Sequence, residues 1–223
     1  MQNPLLVFTE DGSHSLYLEH LNEHYHSQHG AILESKHIYI NAGLQYVVAK
    51  KSNIQILEIG FGTGLNALLT LIESSKNNFS VHYHSVEPFP LAIDLVYKLN
   101  YLEQLNALEV KPYFEQMHLI EHTKKLRLFD NFTFEKSIVL IQNAVLQHTF
   151  DLIYFDAFAP RVQPELWTID VFAKLFSSMN KNACLVTYCA KGEVKRNLMQ
   201  AGFRVESLPG PKGKREITRA IKE

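Results

Sequence analysis

The sequence predicts an α/β fold in which helices cover both faces of a mostly parallel, seven-stranded sheet. Seven apolar runs alternate with segments of helix length, as in strand–helix–strand units. The last two runs are joined by residues 209–215, which are rich in glycine and proline and have a length that suits a hairpin. We therefore expect an antiparallel final strand. The predicted strands are 54–59, 81–87, 137–142, 151–155, 183–189, 203–208 and 217–221.

The regions outside these strands are interpreted as a cap and an insertion. Residues 1–53 contain a hairpin pattern, with strands at 5–9 and 15–18 around a turn, followed by a polar segment. We interpret them as an amino-terminal cap on a core formed by residues 54–223. Residues 101–136 are too many for a plain connection between strands, so we expect an inserted helical element there.

The composition is that of one folded domain without a membrane segment. The chain has 223 residues, 46% of them hydrophobic. A domain of this size buries about 70% of its unfolded surface. The formal net charge of −1 gives no global electrostatic reason to bind nucleic acid, so any RNA contact must be local. We find no apolar stretch of about 18 residues and no signal segment, and we expect a cytoplasmic protein.

Neither the cysteines nor the histidines predict a metal site. Cys184 and Cys189 lie in one predicted strand at an odd spacing, which points them to opposite faces as core residues. The histidines near the amino terminus form no recognisable ligand set, so we expect no bound metal. They are His14, His20, His24, His26 and His29.

A glycine-rich turn follows the first core strand. Gly60, Gly62 and Gly64 remove side chains where the backbone must turn tightly and approach a ligand, and a helix pattern begins directly after them. Glu58 adds a carboxylate at the strand end. A dinucleotide fingerprint has its third glycine three residues after the second, whereas here the interval is two. The spacing therefore favours a different nucleotide-like ligand.

Glu87 closes the second predicted core strand, and Pro88 ends that strand directly after it. A carboxylate at this position can accept hydrogen bonds from both hydroxyls of a ribose. We therefore assign Glu87 to the ribose of the ligand.

Asp156 and Phe158 follow a third strand, at the sheet edge where open α/β folds bind ligands. An alkylamine is mostly protonated at neutral pH, so its methylation requires an acceptor that orients its N–H or takes its proton. We interpret Asp156 as that acceptor and Phe158 as a ring that packs on the substrate.

Several motifs resemble those of known methyltransferases. The pattern from Glu58 to Gly64 resembles motif I of class I S-adenosylmethionine (SAM) methyltransferases, whose sheet is Rossmann-like. With residues 60–66, 156–160, 163–168, 187–192 and 209–216, the chain resembles the methyltransferase domain of the MnmC-like family from about residue 8 to residue 221.

The resemblance implies an activity and a partner. That family converts 5-aminomethyl-2-thiouridine to 5-methylaminomethyl-2-thiouridine at the wobble position of tRNA, with SAM as the methyl donor. The implied partners are the tRNA anticodon loop and, functionally, the enzyme that makes the aminomethyl precursor. Many members carry a flavin-dependent oxidoreductase domain after the methyltransferase domain. This chain ends at Glu223, so we expect a stand-alone form that performs methyl transfer only.

The resemblance also implies further cofactor contacts. Glu58 is expected near the methionine ammonium and the glycines beneath the nucleoside, with Asn66 beside them. A cap that folds over the cofactor implies contacts from Tyr25 and Glu34. The third strand offers no acid for the adenine, and we assign Gln142 or Asn143 in its place.

Basic residues in two loops form the candidate RNA surface, where they are expected to hold anticodon-loop phosphates while Trp167 or Phe158 stacks on an extruded base. They are Lys191, Lys195, Arg196, Lys212, Lys214 and Arg215.

Two rival functions stay open at this point. One keeps SAM and changes the substrate to a small-molecule or protein amine, which the near-neutral charge favours. The other is a nucleotide-binding oxidoreductase or a non-catalytic Rossmann-like protein. Methyl turnover would exclude the non-catalytic protein.

Overall fold

The computed structural model describes residues 4–223, and its amino-terminal part is a small sheet followed by a helix. Strands β1 (Leu5–Phe8), β2 (His14–Leu18) and β3 (Glu23–His24) form an antiparallel sheet that contains the predicted hairpin. The chain then runs through α1 (Ala31–Ser35), a π-helical segment (Lys36–Leu44) and α2 (Gln45–Val48) without interruption.

The main sheet has eight strands in the order β10-β11-β9-β8-β4-β5-β7-β6. Strands β9, β8, β4, β5 and β7 are parallel, whereas β11 and the edge strand β6 run antiparallel to their neighbours. The strands are β4 (Asn53–Ile59), β5 (Ser80–Val86), β6 (Lys125–Phe129), β7 (Phe132–Ser137), β8 (Phe150–Phe155), β9 (Met179–Thr187), β10 (Arg204–Pro209) and β11 (Glu216–Ile221).

Helices cover both faces of this sheet, as predicted. On β4, Ile54 and Ile56 face one buried cluster and Leu57 and Ile59 face the other, because successive strand residues point to opposite faces. The π-helical segment, α3 and α6 pack on the first face, and α7 and α8 pack on the second. The remaining helices are α3 (Leu65–Lys76), α4 (Ile93–Val96), α5 (Tyr101–Gln104), α6 (Lys111–Leu119), α7 (Ile169–Ser177) and α8 (Gly192–Gln200).

The amino-terminal segment shares the core of the sheet. Leu16, Ile38 and Leu44 belong to the same buried cluster as Ile54 and Ile56. The buried core is therefore continuous across residue 53. A division of the chain at that residue stays a proposal.

Two sequence predictions are wrong around β7. The predicted strand at 137–142 is absent, because β7 pairs with β5 only as far as Ser137 and the chain then leaves the sheet. Ile138 and Leu140 are consequently exposed. The predicted helical insertion is confirmed by α5 and α6, up to Leu119. The predicted number of seven strands is wrong, because β6 pairs with β7 after α6 and the sheet has eight strands.

Both cysteines are buried as free thiols, with Cys184 in the first cluster and Cys189 in the second, as predicted. Within residues 4–223, no helix combines the length and the apolar character that a bilayer span requires.

Candidate active site

A cavity of about 1250 Å³ opens where β4, β5 and β8 end. This is the carboxyl edge of the parallel strands, where open α/β sheets bind their ligands. The glycine-rich turn and the strand-end acids form one wall, and residues of the amino-terminal sheet form the other. The lining side chains used below are those of Tyr25, Glu34, Asn66, Glu87, Asp156 and Phe158.

The glycine-rich turn needs glycine at all three positions, since φ is +90° at Gly60, +49° at Gly62 and +75° at Gly64. A Cβ on Gly60 would lie 2.6 Å from the backbone oxygen of Asp156, and one on Gly64 would lie 2.8 Å from His118 Nε2. Gly60 and Gly62 line the cavity. Gly64 lies behind them, where it permits close packing of the turn against α6.

Glu87 lies at the cavity wall directly after β5. Its Oε2 accepts a hydrogen bond from the Gly62 N–H at 3.0 Å, and its Oε1 accepts one from the Phe89 N–H at 2.8 Å. Burial raises the pKa of this carboxyl, while the two backbone N–H groups act in the opposite direction. The acid is thereby fixed against the glycine-rich turn.

Glu58 lies beneath the cavity and does not line it, which differs from its predicted place beside the methionine ammonium. The side chain is fully buried, and its carboxylate accepts hydrogen bonds from Asn66 Nδ2 and Ser85 Oγ, each at 3.2 Å. Burial, and then the charge of Asp156, hold its pKa well above the usual range. The side chain that reaches the cavity here is Asn66, whose Oδ1 is buried without a hydrogen-bond partner.

Asp156 is held by a hydrogen bond on each carboxylate oxygen. Tyr39 donates its hydroxyl to Oδ1 at 2.6 Å, and Asn66 donates Nδ2 to Oδ2 at 2.8 Å. Burial raises the pKa of Asp156 to about 7, against the lowering effect of these two hydrogen bonds. A carboxyl with this pKa and a fixed orientation can accept a proton near neutral pH.

Tyr25 and Phe158 form an aromatic wall. Their rings meet edge to face with centroids 5.0 Å apart, and both line the cavity. Trp167, predicted to stack on a base, is buried and donates its indole N–H to the Phe158 carbonyl at 2.8 Å. Because its ring packs against Phe155, Trp167 supports the loop that carries Phe158 and cannot stack on a ligand.

A family model described as S-adenosyl-L-methionine-dependent methyltransferase matches residues 104–223. The chain belongs to this family. Its cofactor is SAM, and its Rossmann-like class I fold is as predicted.

Relatives and solved structures agree with this assignment. The tRNA 5-methylaminomethyl-2-thiouridine biosynthesis bifunctional protein MnmC of Leptospira interrogans is 32% identical over 212 residues, which are 89% of this chain and 32% of that protein. The protein of the same name from Burkholderia multivorans is 30% identical over 95% of this chain and 34% of its own length. The methyltransferase thus spans about a third of the length of these relatives.

Among solved structures, MnmC2 from Aquifex aeolicus superimposes with a TM-score of 0.74 at 24% identity, covering 99% of this chain and 70% of that one. Spermidine synthase from Thermotoga maritima gives a TM-score of 0.58 at 16% identity, covering 95% and 69%. At 24% and 16% sequence identity, these superpositions show a shared fold only.

Glu34 and Lys214 form an ion pair in the cavity wall of the methyltransferase. Glu34 accepts a hydrogen bond from the Ser27 N–H at 2.7 Å, and its other oxygen lies 3.3 Å from Lys214 Nζ. That ammonium also lies 4.7 Å from the centroid of the Tyr188 ring. Lys214, predicted on an RNA surface, therefore belongs to the cavity.

The other predicted basic residues divide into two groups. Lys195 contacts Glu216 and Lys212 contacts Glu10, each at 2.8 Å, so these two ammonium groups are already paired with carboxylates. Lys191, Arg196 and Arg215 are exposed. Lys212 is exposed too, so within residues 4–223 half of the predicted set, Lys191, Arg196 and Arg215, is exposed and without a carboxylate partner.

Gln142 does not line the cavity, which corrects its assignment to the adenine. It is exposed, and its Nε2 donates to the Glu165 carbonyl at 3.3 Å. The reason is the early end of β7, after which Leu140 and Ile141 line the cavity in its place. Asn143 is exposed as well and lies outside the lining.

Sequence reasoning missed Tyr39 and Tyr188. Tyr39 lies in the π-helical segment, far along the chain from Asp156, and no motif marks it. Tyr188 lies in a segment used for the family resemblance, and its hydroxyl donates to the Ala157 carbonyl at 2.9 Å. That resemblance was the available signal for Tyr188.

Proposed function

We propose that this methyltransferase converts 5-aminomethyl-2-thiouridine to 5-methylaminomethyl-2-thiouridine at the wobble position of tRNA. The named relatives, which match about 90% of the chain, support this substrate. A tRNA substrate also implies a cytoplasmic location and a functional link to the enzyme that makes the aminomethyl precursor.

The proposal is supported most directly by the fixed orientation and the raised pKa of Asp156. An amine must lose its proton before its lone pair can attack, and a carboxylate with a pKa of about 7 accepts that proton near neutral pH. Tyr39 and Asn66 hold both carboxylate oxygens, so the remaining lone pairs have a fixed direction. Orientation of this kind supplies much of the rate when the donor brings its own leaving group.

SAM supplies an activated methyl group: the amine nitrogen forms the new N–C bond, the S–C bond breaks with its electron pair going to sulfur, and a proton leaves the nitrogen. The cavity fits SAM because its wall offers acceptors for donor groups. Glu87 is assigned to the ribose hydroxyls, and the unpartnered Asn66 Oδ1 is assigned to the methionine ammonium. Gly60 and Gly62 leave room for the nucleoside, while Glu58 positions Asn66 from below.

The substrate is assigned to the aromatic side of the cavity. Tyr25 and Phe158 offer ring surface to an extruded base, the usual way in which single-stranded RNA is read. Lys191, Arg196 and Arg215 are assigned to phosphates, because β9 ends and β11 begins at the same edge of the sheet. The near-neutral charge is compatible with this local patch.

The test is methyl transfer from labelled SAM to tRNA that carries 5-aminomethyl-2-thiouridine, with unmodified transcript as control. We expect labelled 5-methylaminomethyl-2-thiouridine in digests of the modified tRNA only. SAM binding without transfer to this tRNA would reject the proposed substrate and direct the search to small-molecule or protein amines. Asp156→Asn is the matched inactive control.

A further inference from the structure

Three side chains of types that commonly ligate metal ions come together at a site remote from the active site, although they belong to separate parts of the chain. His82 lies on β5, Glu135 on β7, and His148 in the segment between β7 and β8. One ligand atom from each lies within 4.8 Å of the others, and His82 Nε2 is 3.9 Å from Glu135 Oε2. A separate cavity of about 540 Å³, which shares no lining residue with the SAM cavity, opens beside His82 and His148.

Two of these ligand atoms are buried without a hydrogen-bond partner. They are His82 Nε2 and Glu135 Oε2. Glu135 is only 8% exposed, so water cannot freely satisfy its oxygen. Unsatisfied buried polar atoms are rare in folded proteins, and one bound cation between these two atoms would satisfy both.

A cation already lies at this cluster. Lys125 Nζ is 3.4 Å from Glu135 Oε2 and 3.3 Å from His148 Nε2. The first contact is ionic and lacks hydrogen-bond geometry, which agrees with the unpartnered oxygen. The Lys125 side chain is 49% exposed on the edge strand β6, so it can turn into solvent without disturbing the core. The ammonium marks a position that favours positive charge.

We propose that His82, Glu135 and His148 bind a divalent zinc-class ion in place of the Lys125 ammonium. Two imidazoles and one carboxylate are ordinary zinc ligands, with bond lengths of about 2.0–2.2 Å. In tetrahedral geometry two ligand atoms of one such ion are therefore roughly 3.3–3.6 Å apart. Because the three ligand atoms lie within 4.8 Å of one another, binding requires them to approach by roughly 1.5 Å at most. A fourth position is left for water on the side of the cavity.

The surroundings are compatible with this chemistry. His82 binds a metal through a neutral imidazole nitrogen, and its Nε2 is the ring atom that lies 3.9 Å from Glu135 Oε2. His148 lies in the irregular segment after Ser137, which is bound by no strand pairing and can adjust its position. The site joins two strands to that segment, so occupancy would stabilise this edge of the sheet.

The test is a titration of the whole chain with Zn²⁺ against a chromophoric chelator, followed by Co²⁺ absorption spectroscopy. Lys125→Met is expected to bind Zn²⁺ at least 10-fold more tightly, because the competing cation is gone. Glu135→Gln and His148→Ala are expected to bind it at least 10-fold more weakly. Lys124→Met is the matched control, since Lys124 is the adjacent exposed lysine and pairs with Glu121. It should leave the affinity unchanged.

Co²⁺ is expected to show visible bands without the near-ultraviolet thiolate band, which excludes the two cysteines as ligands. Because unfolded chains also bind Zn²⁺ through histidine and cysteine, Lys125→Met is compared at unchanged circular dichroism and without the thiolate band. A gain of affinity under these conditions keeps the test decisive if a ligand variant is unstable. Equal affinity in Lys125→Met, Lys124→Met and His148→Ala would overturn the proposal and leave the cluster as the binding place of the Lys125 ammonium alone.

Discussion

At the scale of single residues, the proposed chemistry depends on Asp156 and its two hydrogen-bond donors. The hydrogen bonds from Tyr39 and Asn66 oppose the rise in pKa that burial causes. Asn66 also bonds to Glu58, so one amide group links two buried carboxyls. Removal of the Tyr39 hydroxyl, which does not line the cavity, should therefore change the proton affinity of Asp156 without emptying the SAM site.

Asp156→Asn is expected to lower kcat by roughly 10² or more, the scale of a lost proton acceptor, while the Kd for SAM changes by only a few fold. Single-turnover methyl transfer and equilibrium binding of SAM measure the two quantities. Loss of SAM binding would instead assign Asp156 to the cofactor.

Tyr39→Phe is expected to move the acidic limb of the kcat/KM profile to higher pH. In the proposed mechanism activity requires the unprotonated carboxylate, so it is expected to rise with pH through the Asp156 pKa of about 7. The Tyr39 hydroxyl lowers that pKa, and its loss raises it by about one unit, since a hydrogen bond to a charged group contributes roughly 1.5 kcal/mol. Measuring kcat/KM at a series of pH values gives the shift, and SAM binding over the same pH range, which should stay constant, is the control. An unchanged limb would show that Tyr39 does not act through Asp156.

At the scale of elements, the turn between β4 and α3 joins the cofactor wall to the substrate wall. Gly60 approaches the backbone of Asp156 so closely that no side chain fits at position 60. The Gly62 N–H donates a hydrogen bond to the Glu87 carboxylate. The π-helical segment, which packs on the first face of the sheet, brings the Tyr39 hydroxyl to Asp156. The π-helical segment and α3 thus each supply one hydrogen bond to the carboxylate that follows β8.

Gly60→Ala is expected to reduce the free energy of unfolding by about 1–3 kcal/mol and to weaken SAM binding, because φ is +90° and the new Cβ would lie 2.6 Å from a backbone oxygen. Gly192→Ala is the matched control. The nearest atom to its Cβ is the flexible end of Arg196, at 3.2 Å, and its φ is not strained. Urea denaturation should separate the two variants, and equal stabilities would contradict the account of the turn.

At the scale of the whole molecule, the net charge of −1 hides an uneven distribution of charges. Lys195 and Lys212 are paired with Glu216 and Glu10, so they contribute little field to a partner. The proposed RNA interface therefore depends on the exposed cations at the edge where β9 ends and β11 begins.

Replacing Lys191, Arg196 and Arg215 together by Ala is expected to weaken tRNA binding and to flatten the dependence of log K on log salt by roughly 0.7–0.9 for each phosphate that the variant no longer neutralises. A control triple at Lys76, Arg127 and Lys181, which lie at the end of α3, in the edge strand β6 and near the start of β9, should leave the slope unchanged. Binding isotherms at several salt concentrations measure both, and equal slopes would remove these residues from the RNA surface.

The sequence by itself determined most strands of the sheet, the glycine-rich turn and the acids at the strand ends. These features follow from local rules: strand periodicity, the backbone freedom of Gly60, and the interruption by Pro88 act within a few residues. Tertiary structure alone decided that Tyr39 bonds to Asp156, 117 residues away, that Glu58 lies beneath the cavity, and that β7 ends before Gln142. It also brought His82 and Glu135 together. Such contacts depend on how separate elements pack against one another, and no short-range sequence pattern encodes which distant residues will meet.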